Sequence, residues 1–404
     1  MTVIHIAYRY GLNNTGGAMI AATRLHQALQ ARGVDSHFVC IWKDEEGTNV
    51  HQLPTGWFSR RLFFLLTKIT RCVWKFSCHR KSIPLNIIPL FGLERLLKQI
   101  KPDVVHVHWI YSDVCAFEQL EKLPYRLVFH LHDLYMLNGL EVHPVDDNRF
   151  VTGFTKENAS WVERWLFDRK RKLMAKAGTR FIAPSEWVAS MSRKSVIGRS
   201  VPVDVVGNIP GPTVGYAGGD GGRAGDRFVI LFGAWGGRAN KFKGFADLVQ
   251  ALALLPESVK ADSQLNVFGE SSPDCETAGV RTRFLGQLKT AAEMAVAYST
   301  ADVYAFPSTV ETQGMTKIEA LLYGLPVVAF NRTACAEGLV EGTNARVALS
   351  GDYAAFAAGL VHYYNEWKSN RLESQKSVIA ADACRTYYGE AICEAMCHVY
   401  GKVA

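Results

Sequence analysis

The stretch PSTVETQGMTKIEALLYGLPVVAF, residues 307–330, decides the fold of this 404-residue chain. An apolar run ends just before it and a valine-rich run closes it, so the pattern predicts strand, loop, helix and strand. Gly324 stops the predicted helix and Pro326 opens the second strand. The loop that carries Glu311 and Gly314 then lies at the carboxyl end of the first strand, where open α/β sheets bind ligands.

The predicted helix of this stretch begins near Met315. Its first turn, which includes Thr316, offers backbone N–H groups and the positive end of the helix dipole to an anion or a sugar hydroxyl. Glu311 and Glu319 lie eight residues apart, one on the loop and one in the first helical turns. Carboxylates suit polyol recognition because each can accept two hydroxyl hydrogen bonds. The stretch therefore predicts a site for a sugar that carries an anionic group.

Short β-branched runs alternate with amphipathic stretches on both sides of this segment. Such alternation, with several strands apolar on both faces, predicts two doubly wound parallel sheets of Rossmann type, an α/β protein. Residues 207–226 hold eight glycines, separate the two sets of strands and are expected to form a linker or an exposed loop. We expect an N-terminal domain at residues 1–206 and a C-terminal domain at residues 227–380. The predicted strands are 3–8, 37–41, 104–108, 127–131, 181–183, 228–232, 264–268, 282–285, 303–306 and 327–330.

A second element, GAWGGRANKFKGFADL at residues 233–248, follows a predicted strand and opens a helix. Arg238 and Lys243 lie five residues apart in it, and two cations suit a leaving diphosphate whose negative charge grows as its bond breaks. Lys241 is a rival for either role, and a basic loop that only caps a sheet is the other interpretation. The chain has no Asp-x-Asp, a common device for holding a metal and a diphosphate together. We therefore expect charge neutralisation by Arg238 and Lys243 without a metal.

Together the two elements resemble the retaining glycosyltransferase family 4, which has the GT-B fold of two Rossmann-like domains facing across a cleft. The family's Glu-x7-Glu motif, its small-residue helix, its Gly-x-Pro and its following Val/Ile strand are all present here. Two departures are Gln313 in place of the usual phenylalanine and Lys317 at a usually apolar position. The resemblance implies that Glu311 faces the donor sugar and that Glu319 binds the ribose hydroxyls.

The resemblance also implies roles for residues outside these two elements. Gly16 and Gly17, after the first predicted strand, correspond to the family's N-terminal Gly-Gly loop at the donor. His132 matches the histidine that contacts the donor sugar near its reacting carbon. Leu288, in a Gly-Gln-Leu loop, corresponds to the loop that contacts the base. Residues 381–404 are expected to form a helix that crosses back to the first domain.

The reaction that the resemblance implies is transfer of a sugar from a nucleotide-diphosphate sugar to a glycan or lipid-linked acceptor with retention of configuration. The departing phosphate takes the acceptor's proton, so neither a protein nucleophile nor a cofactor is required. The similarity is closest to bacterial capsule and exopolysaccharide enzymes. Two alternatives stay open: a nucleotide-sugar epimerase of the same fold, and a non-catalytic sugar-binding protein of two similar lobes.

Four histidines form two H-x-H pairs, His106 with His108 and His130 with His132. Strand alternation puts each pair on one face, and such pairs can bind zinc, which makes a zinc hydrolase a rival interpretation. We expect no metal site, and we expect His106 and His130 to be core histidines with satisfied hydrogen bonds.

Residues 60–81 predict a basic amphipathic helix within a stretch, 47–93, that has no acidic residue. Four cationic side chains fall on one helical face and a 4-3-4-3 series of apolar residues falls on another. Such a helix lies on anionic membranes, although a core-packed helix with a solvated basic face is the alternative. We expect no nucleic-acid partner because no recognised module accompanies the charge. The cationic residues are Arg61, Lys68, Arg71 and Lys75, and the apolar residues are Leu62, Leu66, Ile69, Val73 and Phe76.

The cysteines indicate a reducing compartment. There are nine, an odd number, and no C-x-x-C pair occurs. A disulfide framework is therefore unexpected, and reduced thiols in the cytoplasm fit better. The N-terminus shows no basic leader before a long apolar stretch, and no uncharged run approaches the roughly 20 residues needed to span a bilayer. We expect a cytoplasmic enzyme, in contact with the inner face of the membrane if residues 60–81 bind lipid.

Overall fold

The computed structural model describes residues 1–12, 15–78, 84–111, 113–143, 147–211, 226–233, 236–387 and 389–402, with the side chains of 73–78 left aside. The strands are β1 Thr2–Tyr10, β2 Asp35–Lys43, β3 Val50–Gln52, β4 Val104–Val107, β5 Arg126–His130, β6 Arg180–Ala183, β7 Val203–Val205, β8 Phe228–Gly233, β9 Ser263–Phe268, β10 Cys275–Thr277, β11 Val280–Gly286, β12 Val303–Phe306, β13 Val327–Asn331 and β14 Ala345–Leu349. The α-helices are α1 Gly17–Ala31, α2 Trp57–Cys78, α3 Leu93–Ile100, α4 Phe117–Lys122, α5 Arg149–Thr152, α6 Trp161–Met174, α7 Glu186–Lys194, α8 Phe245–Ala253, α9 Glu257–Asp262, α10 Ala291–Ser299, α11 Met315–Leu322, α12 Tyr353–Lys368, α13 Leu372–Tyr387 and α14 Gly389–Gly401.

The first unit comprises Met1–Asn208 and Glu390–Ala404. Its seven strands are parallel and lie in the order β3-β2-β1-β4-β5-β6-β7. The central strands are buried along their length because side chains of both faces are covered, which explains their near-continuous apolar sequences. The register sets His5 of β1 beside His106 of β4.

The second unit comprises Ile209–Gly389. Its seven strands lie in the order β10-β11-β9-β8-β12-β13-β14, and all pair in parallel except β10, which is antiparallel to β11. In both units the strand order reverses beside the first strand, between β1 and β4 and between β8 and β12. Such a switch point is where doubly wound sheets bind ligands, at the carboxyl ends of the strands.

The structure divides the C-terminal region later than the sequence predicts. The predicted boundary at residue 381 falls inside α13, which belongs to the second unit, and the division lies between Gly389 and Glu390. The returning helix is α14 alone. Its Tyr400 hydroxyl lies 2.7 Å from Nδ1 of His106, and Lys402 just beyond it pairs with Asp204 at 2.6 Å. The glycine-rich segment predicted at 207–226 lies mostly outside the described residues.

Helix α2 presents an apolar stripe outward. Phe58, Leu62, Leu65 and Ile69, spaced 4-3-4, are all exposed, with Phe58 72% and Leu65 54% accessible. The helix packs inward through Phe63 instead, whose side chain is buried. The described part of α2 therefore packs into the core on one face, as the alternative expects, and also leaves an apolar stripe exposed, which that alternative does not include.

The basic face that the sequence predicts for α2 is also divided. Arg61 and Lys68 are exposed, while Arg71 donates to the buried carboxylate of Asp113 at 2.7 Å. Lys75 lies outside the described side chains. Across the described helices, none combines the length and apolarity needed to cross a membrane.

Candidate active site

The loop after β12 carries Glu311 at the switch point of the second unit. Glu311 is buried, and its Oε1 accepts a hydrogen bond from Nζ of Lys243 at 2.6 Å. Its backbone N–H donates to the Thr333 hydroxyl at 3.0 Å, which fixes the loop from the other side. The structure thus brings together two predicted site residues that are separated by 68 positions in the chain.

The Lys243 turn and the Glu311 loop are tied to each other through backbone. The N–H of Thr309 donates to the carbonyl of Phe242 at 2.9 Å. Gly244, next to Lys243, has φ +72° and lies so close to the Pro307 carbonyl that any Cβ would clash with it. Glycine is required there for both reasons, backbone conformation and space. The ion pair therefore rests on two loops whose relative position is fixed.

Arg238 lies on the same switch point after β8, but it is paired with a residue that the sequence analysis missed. Its guanidinium donates to Oε1 of Glu270 through Nε at 2.9 Å and Nη2 at 2.6 Å, and its backbone N–H donates to Oε2 at 2.8 Å. The guanidinium also lies 4.7 Å from the ring centroid of Phe284. Hydrogen bonding to Arg238 lowers the pKa of Glu270. A single carboxylate after β9 offers no motif, so only the structure identifies this partner.

Glu319 lies on α11, whose first turn faces the same loop. Its Oε1 accepts from the backbone N–H of Gly211 at 3.1 Å and its Oε2 accepts from the Tyr298 hydroxyl at 3.4 Å. Gly314 caps the helix with φ +82°, and a Cβ there would press against Phe306. The cap makes no side-chain hydrogen bond, so the N–H groups of Met315 and Thr316 point out of the first turn without one.

Lys317, the unusual residue of the motif, is buried and holds the next loop. Its Nζ donates to the carbonyls of Ala334, Cys335 and Glu337 at 3.1, 3.1 and 2.6 Å. Burial lowers the pKa of Lys317 to about 8. Residues 334–337 directly follow Thr333, whose hydroxyl accepts a hydrogen bond from the backbone N–H of Glu311. Lys317 thus supports the loop that supports Glu311.

Leu288 follows β11 in the second unit and is partly buried against the cluster that includes Phe268 and Tyr298. The neighbouring Gln287 donates to the carbonyl of Gly269 at 2.6 Å, which ties the loop to the end of β9. No contact joins Leu288 to Glu311 or Lys243 among the described interactions. Its assignment to base binding stays a prediction.

In the first unit, Gly16 caps α1 and Gly17 begins it. A Cβ at either position would meet nothing within 4 Å, and neither has a positive φ. The fold therefore does not require glycine at these two positions, and open space lies above both. That space suits a ligand that approaches the backbone closely, as the sequence analysis expects.

His132 follows β5, the strand next to β4 of the first switch point, and its Nε2 lies 3.0 Å from Nδ1 of His108. The adjacent Asp133 accepts from the indole N–H of Trp109 at 2.7 Å. Burial raises the pKa of Asp133 to about 6. Buried Lys170 donates to the carbonyls that follow, those of residues 135, 138 and 139, at 2.7 to 2.9 Å.

The H-x-H pairs lie on one face, as predicted, with ring centroids 4.0 Å apart for His106 and His108 and 4.1 Å for His130 and His132. Nδ1 of His106 has a partner in the Tyr400 hydroxyl, but its Nε2 is buried without a hydrogen-bond partner among the described residues. The expectation of a satisfied core histidine is wrong for His130, because both its ring nitrogens are buried without a hydrogen-bond partner among the described residues.

The family described as Glycosyltransferase Family 4 matches residues 15–208, and the family described as Glycosyl transferases group 1 matches residues 229–366. A phosphatidyl-myo-inositol mannosyltransferase of Mycobacterium leprae (strain TN) is 31% identical over 168 residues. That match covers 40% of this chain and 44% of the relative, so the chain spans less than half the length of this curated relative.

Solved structures share the fold at low identity. Sucrose-phosphate synthase from Thermosynechococcus elongatus has a TM-score of 0.66 at 16% identity, with 99% of this chain and 98% of that chain covered. The Anabaena protein Alr3699/HepE in complex with UDP-glucose has a TM-score of 0.62 at 15% identity, with 98% of each chain covered. Both likenesses concern the fold.

The two family matches take in both units, and the chain belongs to the family 4 glycosyltransferases, with the GT-B fold. The predicted fold class and family are confirmed. The family favours a transferase over the epimerase, the sugar-binding protein and the zinc hydrolase that the sequence left open.

Proposed function

We propose that the protein transfers a sugar from a nucleotide-diphosphate sugar to a glycan or lipid-linked acceptor, with retention of anomeric configuration. Arg238 and Lys243 bind the diphosphate, Glu319 binds the ribose hydroxyls, and Glu311 and His132 contact the donor sugar. Gly16 and Gly17 approach the donor through backbone, and the N-terminus of α11 at Gly314, Met315 and Thr316 receives an anionic or hydroxyl group. Leu288 contacts the base.

The observation that carries the proposal is the ion pair of Lys243 with Glu311 at the carboxyl end of β12. The two cations proposed to bind the diphosphate are each held by a carboxylate: Lys243 by Glu311, and Arg238 by Glu270. Both cations are therefore oriented before a ligand arrives, which lowers the cost of binding a dianion. A diphosphate supplies the two negative groups that such a pair of cations suits.

The proposed chemistry requires little of the protein beyond positioning. The bond between the anomeric carbon and the diphosphate oxygen breaks, and the acceptor oxygen forms its bond on the same face. The acceptor's proton passes to the departing phosphate, so the step balances without a protein base. Lys243 and Arg238 stabilise the charge that grows on the diphosphate, while Glu311 stabilises the electron-poor sugar.

A donor screen tests the proposal. We expect one of the UDP-, GDP- or ADP-sugars to raise the melting temperature in proportion to occupancy, and the same donor to support transfer. Glu319→Ala should weaken donor binding about tenfold or more, since a ribose loses a charged hydrogen-bond acceptor. Glu373→Ala, a change of the same type at an exposed carboxylate of α13, is the matched control. Failure of every nucleotide sugar to bind would rule the proposal out.

We also infer that α2 contacts an anionic membrane surface, which suits a lipid-linked acceptor. The support is the exposed stripe of Phe58, Leu62, Leu65 and Ile69, flanked by the exposed Arg61 and Lys68. Large apolar side chains that face solvent along one helix mark an interaction surface. Each cation adds about 1 kcal/mol near anionic lipid.

Vesicle flotation tests the membrane contact with phosphatidylglycerol-containing vesicles. Phe58→Ser with Leu65→Ser should reduce the floated fraction on all vesicles, and Arg61→Gln with Lys68→Gln should reduce it only on anionic ones. Leu254→Ser, at an apolar residue of the second unit that is 56% exposed, is the control. Equal flotation of all variants would contradict the inference.

The cytoplasmic location and the absence of a metal and a cofactor stay predictions, as does a role in surface polysaccharide synthesis.

A further inference from the structure

A chain of three hydrogen-bonded histidines runs across the switch point of the first unit. Nδ1 of His5, on β1, lies 2.9 Å from Nε2 of His108, just after β4. Nδ1 of His108 in turn lies 3.0 Å from Nε2 of His132, just after β5. Three neighbouring strands thus contribute one imidazole each, and the chain ends at the residue proposed to contact the donor sugar.

A metal ion is the first alternative, because nitrogen atoms lie within 4.8 Å of one another in two sets of three histidines. The sets are His5, His106 and His108, and His108, His130 and His132. Imidazole lone pairs lie in the ring plane, so three ligands must aim their planes at one point. Each set instead contains an H-x-H pair whose rings lie face to face: His130 and His132 are stacked at an interplanar angle of 2°, and His106 and His108 are tilted by 32°. Stacked rings direct their lone pairs side by side, so the geometry favours hydrogen bonds over coordination.

The three imidazoles of the chain are neutral. Burial lowers the pKa of each well below its usual value, and the neighbouring histidines lower it further. A neutral imidazole has one N–H donor and one bare acceptor nitrogen. Each of the two hydrogen bonds therefore runs in one direction, and the direction of one fixes the direction of the other through His108.

The far end of the chain selects the direction. Nε2 of His5 is buried and has no hydrogen-bond partner among the described residues. A buried donor without a partner is rarer than a buried acceptor without one, which favours a bare Nε2 and a proton on Nδ1 of His5. That proton is donated to Nε2 of His108, so His108 carries its own proton on Nδ1 and donates it to Nε2 of His132. His132 must then keep its proton on Nδ1.

We propose that His5 and His108 are positioning residues that hold His132 as its Nδ1–H tautomer. Nδ1 of His132 can then act only as a hydrogen-bond donor, because its Nε2 already accepts from His108. It serves no role as a base. The inference rests on the proposed function only for the ligand that His132 meets, and the tautomer itself is a property of the free protein.

Nitrogen NMR of the free protein, labelled with 15N-histidine, tests the tautomer. The His132 signals are assigned by their loss in His132→Gln. We expect Nδ1 of His132 to have the shift of a protonated nitrogen and Nε2 that of a bare one. The reverse pattern, or protons on both nitrogens, would overturn the proposal. Stoichiometric zinc in the purified protein would overturn it as well, since a metal would replace the hydrogen bonds.

Variants of His5 separate positioning from folding. His5→Leu removes the first donor and should give His132 a mixture of tautomers, with kcat lowered about tenfold and the donor KM little changed. His5→Asn places an amide N–H near the position of Nδ1 and should restore a single tautomer and most of kcat. His106→Leu, equally buried but bonded to Tyr400 instead, is the control and should leave the His132 tautomer unchanged.

If His5→Leu and His5→Asn lower kcat equally while the tautomer stays single, His5 has no positioning role. If the protein transfers no sugar at all, the NMR result still decides the tautomer. Failure of the proposed function and failure of this inference are therefore distinguishable.

Discussion

The two sheets share one strand order around their switch points but place different chemistry there. In the first unit, neutral histidines lie within β1 and just after β4 and β5, at His5, His108 and His132. In the second unit the ends of β8, β9 and β12 carry ion pairs, Arg238 with Glu270 and Lys243 with Glu311. Neutral imidazoles orient hydroxyl groups, whereas paired cations receive a dianion. The same fold therefore carries neutral polar side chains near the switch point of the first unit and charged side chains at that of the second.

The histidine count makes the contrast testable, because the chain has 12 histidines and only His362 lies between residues 209 and 389. We expect the first unit to lose stability in acid before the second. Burial lowers the pKa of His26 to about 4 and that of His130 to about 3. The unfolded chain binds these protons near pH 6.5 and the folded chain does not, so stability falls as the pH falls below that value. By pH 5 each residue costs about 2 kcal/mol, roughly 4 kcal/mol together.

Urea unfolding at pH 7 and pH 5, followed by limited proteolysis with fragments assigned by mass spectrometry, measures this loss in each unit. His26→Gln should recover the roughly 2 kcal/mol that His26 contributes, since glutamine keeps a side-chain amide near the Ser36 hydroxyl and does not titrate. His362→Gln serves as the control in the second unit. Equal acid sensitivity of the two units would break the comparison.

The charged half is tested at Lys243. We expect Lys243→Ala to lower kcat by about 10²–10³-fold, roughly 3 kcal/mol, because it removes a preorganised cation from the leaving group. Lys243→Arg should keep part of the activity. Steady-state kinetics with the donor found by the screen measures both.

Lys241→Ala is the matched control, since Lys241 lies two residues away on the same turn and is exposed. The sequence alone leaves Lys241 as a rival for the same role, and the structure favours Lys243 through its bond to Glu311. A larger loss of kcat in Lys241→Ala than in Lys243→Ala would reverse the assignment.

The fold could be predicted from the sequence wherever strands are buried on both faces. All ten predicted strands are present, within a few residues of their expected ends. The four strands that the sequence analysis missed, β3, β7, β10 and β14, lie at the edges of the two sheets. An edge strand faces solvent on one side, so polar residues interrupt it: β3 is VHQ, β7 is VDV and β10 is CET. Such strands lack the apolar run that identifies the central ones.

The sequence names candidate site residues one by one but not their arrangement. Motif spacing singles out Glu311, Glu319, Arg238 and Lys243 as candidates, yet nothing in the spacing pairs Lys243 with Glu311. Glu270 is a lone carboxylate without a motif. Likewise His5, a single polar residue in the apolar strand VIHIA, gave a signal that sequence analysis left unused. Pairing across strands depends on register, which only the folded sheet supplies.

Buried lysines sharpen the comparison, because each unit holds a loop of its site with one. Lys170 donates to three carbonyls after Asp133, and Lys317 donates to three carbonyls after Thr333. Methionine at either position keeps the volume but leaves three acceptors unsatisfied, at a cost of about 2–3 kcal/mol. We expect Lys170→Met to cost more, since Nζ of Lys170 lies 3.2 Å from the ring centroid of Tyr135, whereas Nζ of Lys317 lies 5.9 Å from that of Phe306.

Chemical unfolding measures the stability lost in Lys170→Met and in Lys317→Met. Steady-state kinetics shows whether each loss also affects donor binding. Lys317→Met should raise the donor KM because the Glu311 loop loses its support. Lys376→Met, at another buried lysine of the second unit, is the control, since its Nζ bonds the Ala301 carbonyl away from these loops. An unchanged donor KM in Lys317→Met would show that the loop holds Glu311 without it.

The smallest expected effect is at Glu270. The pair with Arg238 is partly exposed, so Glu270→Gln should change the free energy of unfolding by less than about 1 kcal/mol. A neutral glutamine accepts the three hydrogen bonds from Arg238 less strongly than the Glu270 carboxylate does. The Arg238 guanidinium therefore gains rotamer freedom, and binding of a diphosphate has to remove that freedom again. We expect the donor KM to rise about fivefold with kcat nearly constant, because orientation in the ground state is what changes.

Glu276→Gln, at an exposed carboxylate of β10, is the control. A lower donor KM in Glu270→Gln would mean that Glu270 competes with the diphosphate for Arg238, and the ion pairs of the second unit would then restrain binding instead of preparing it.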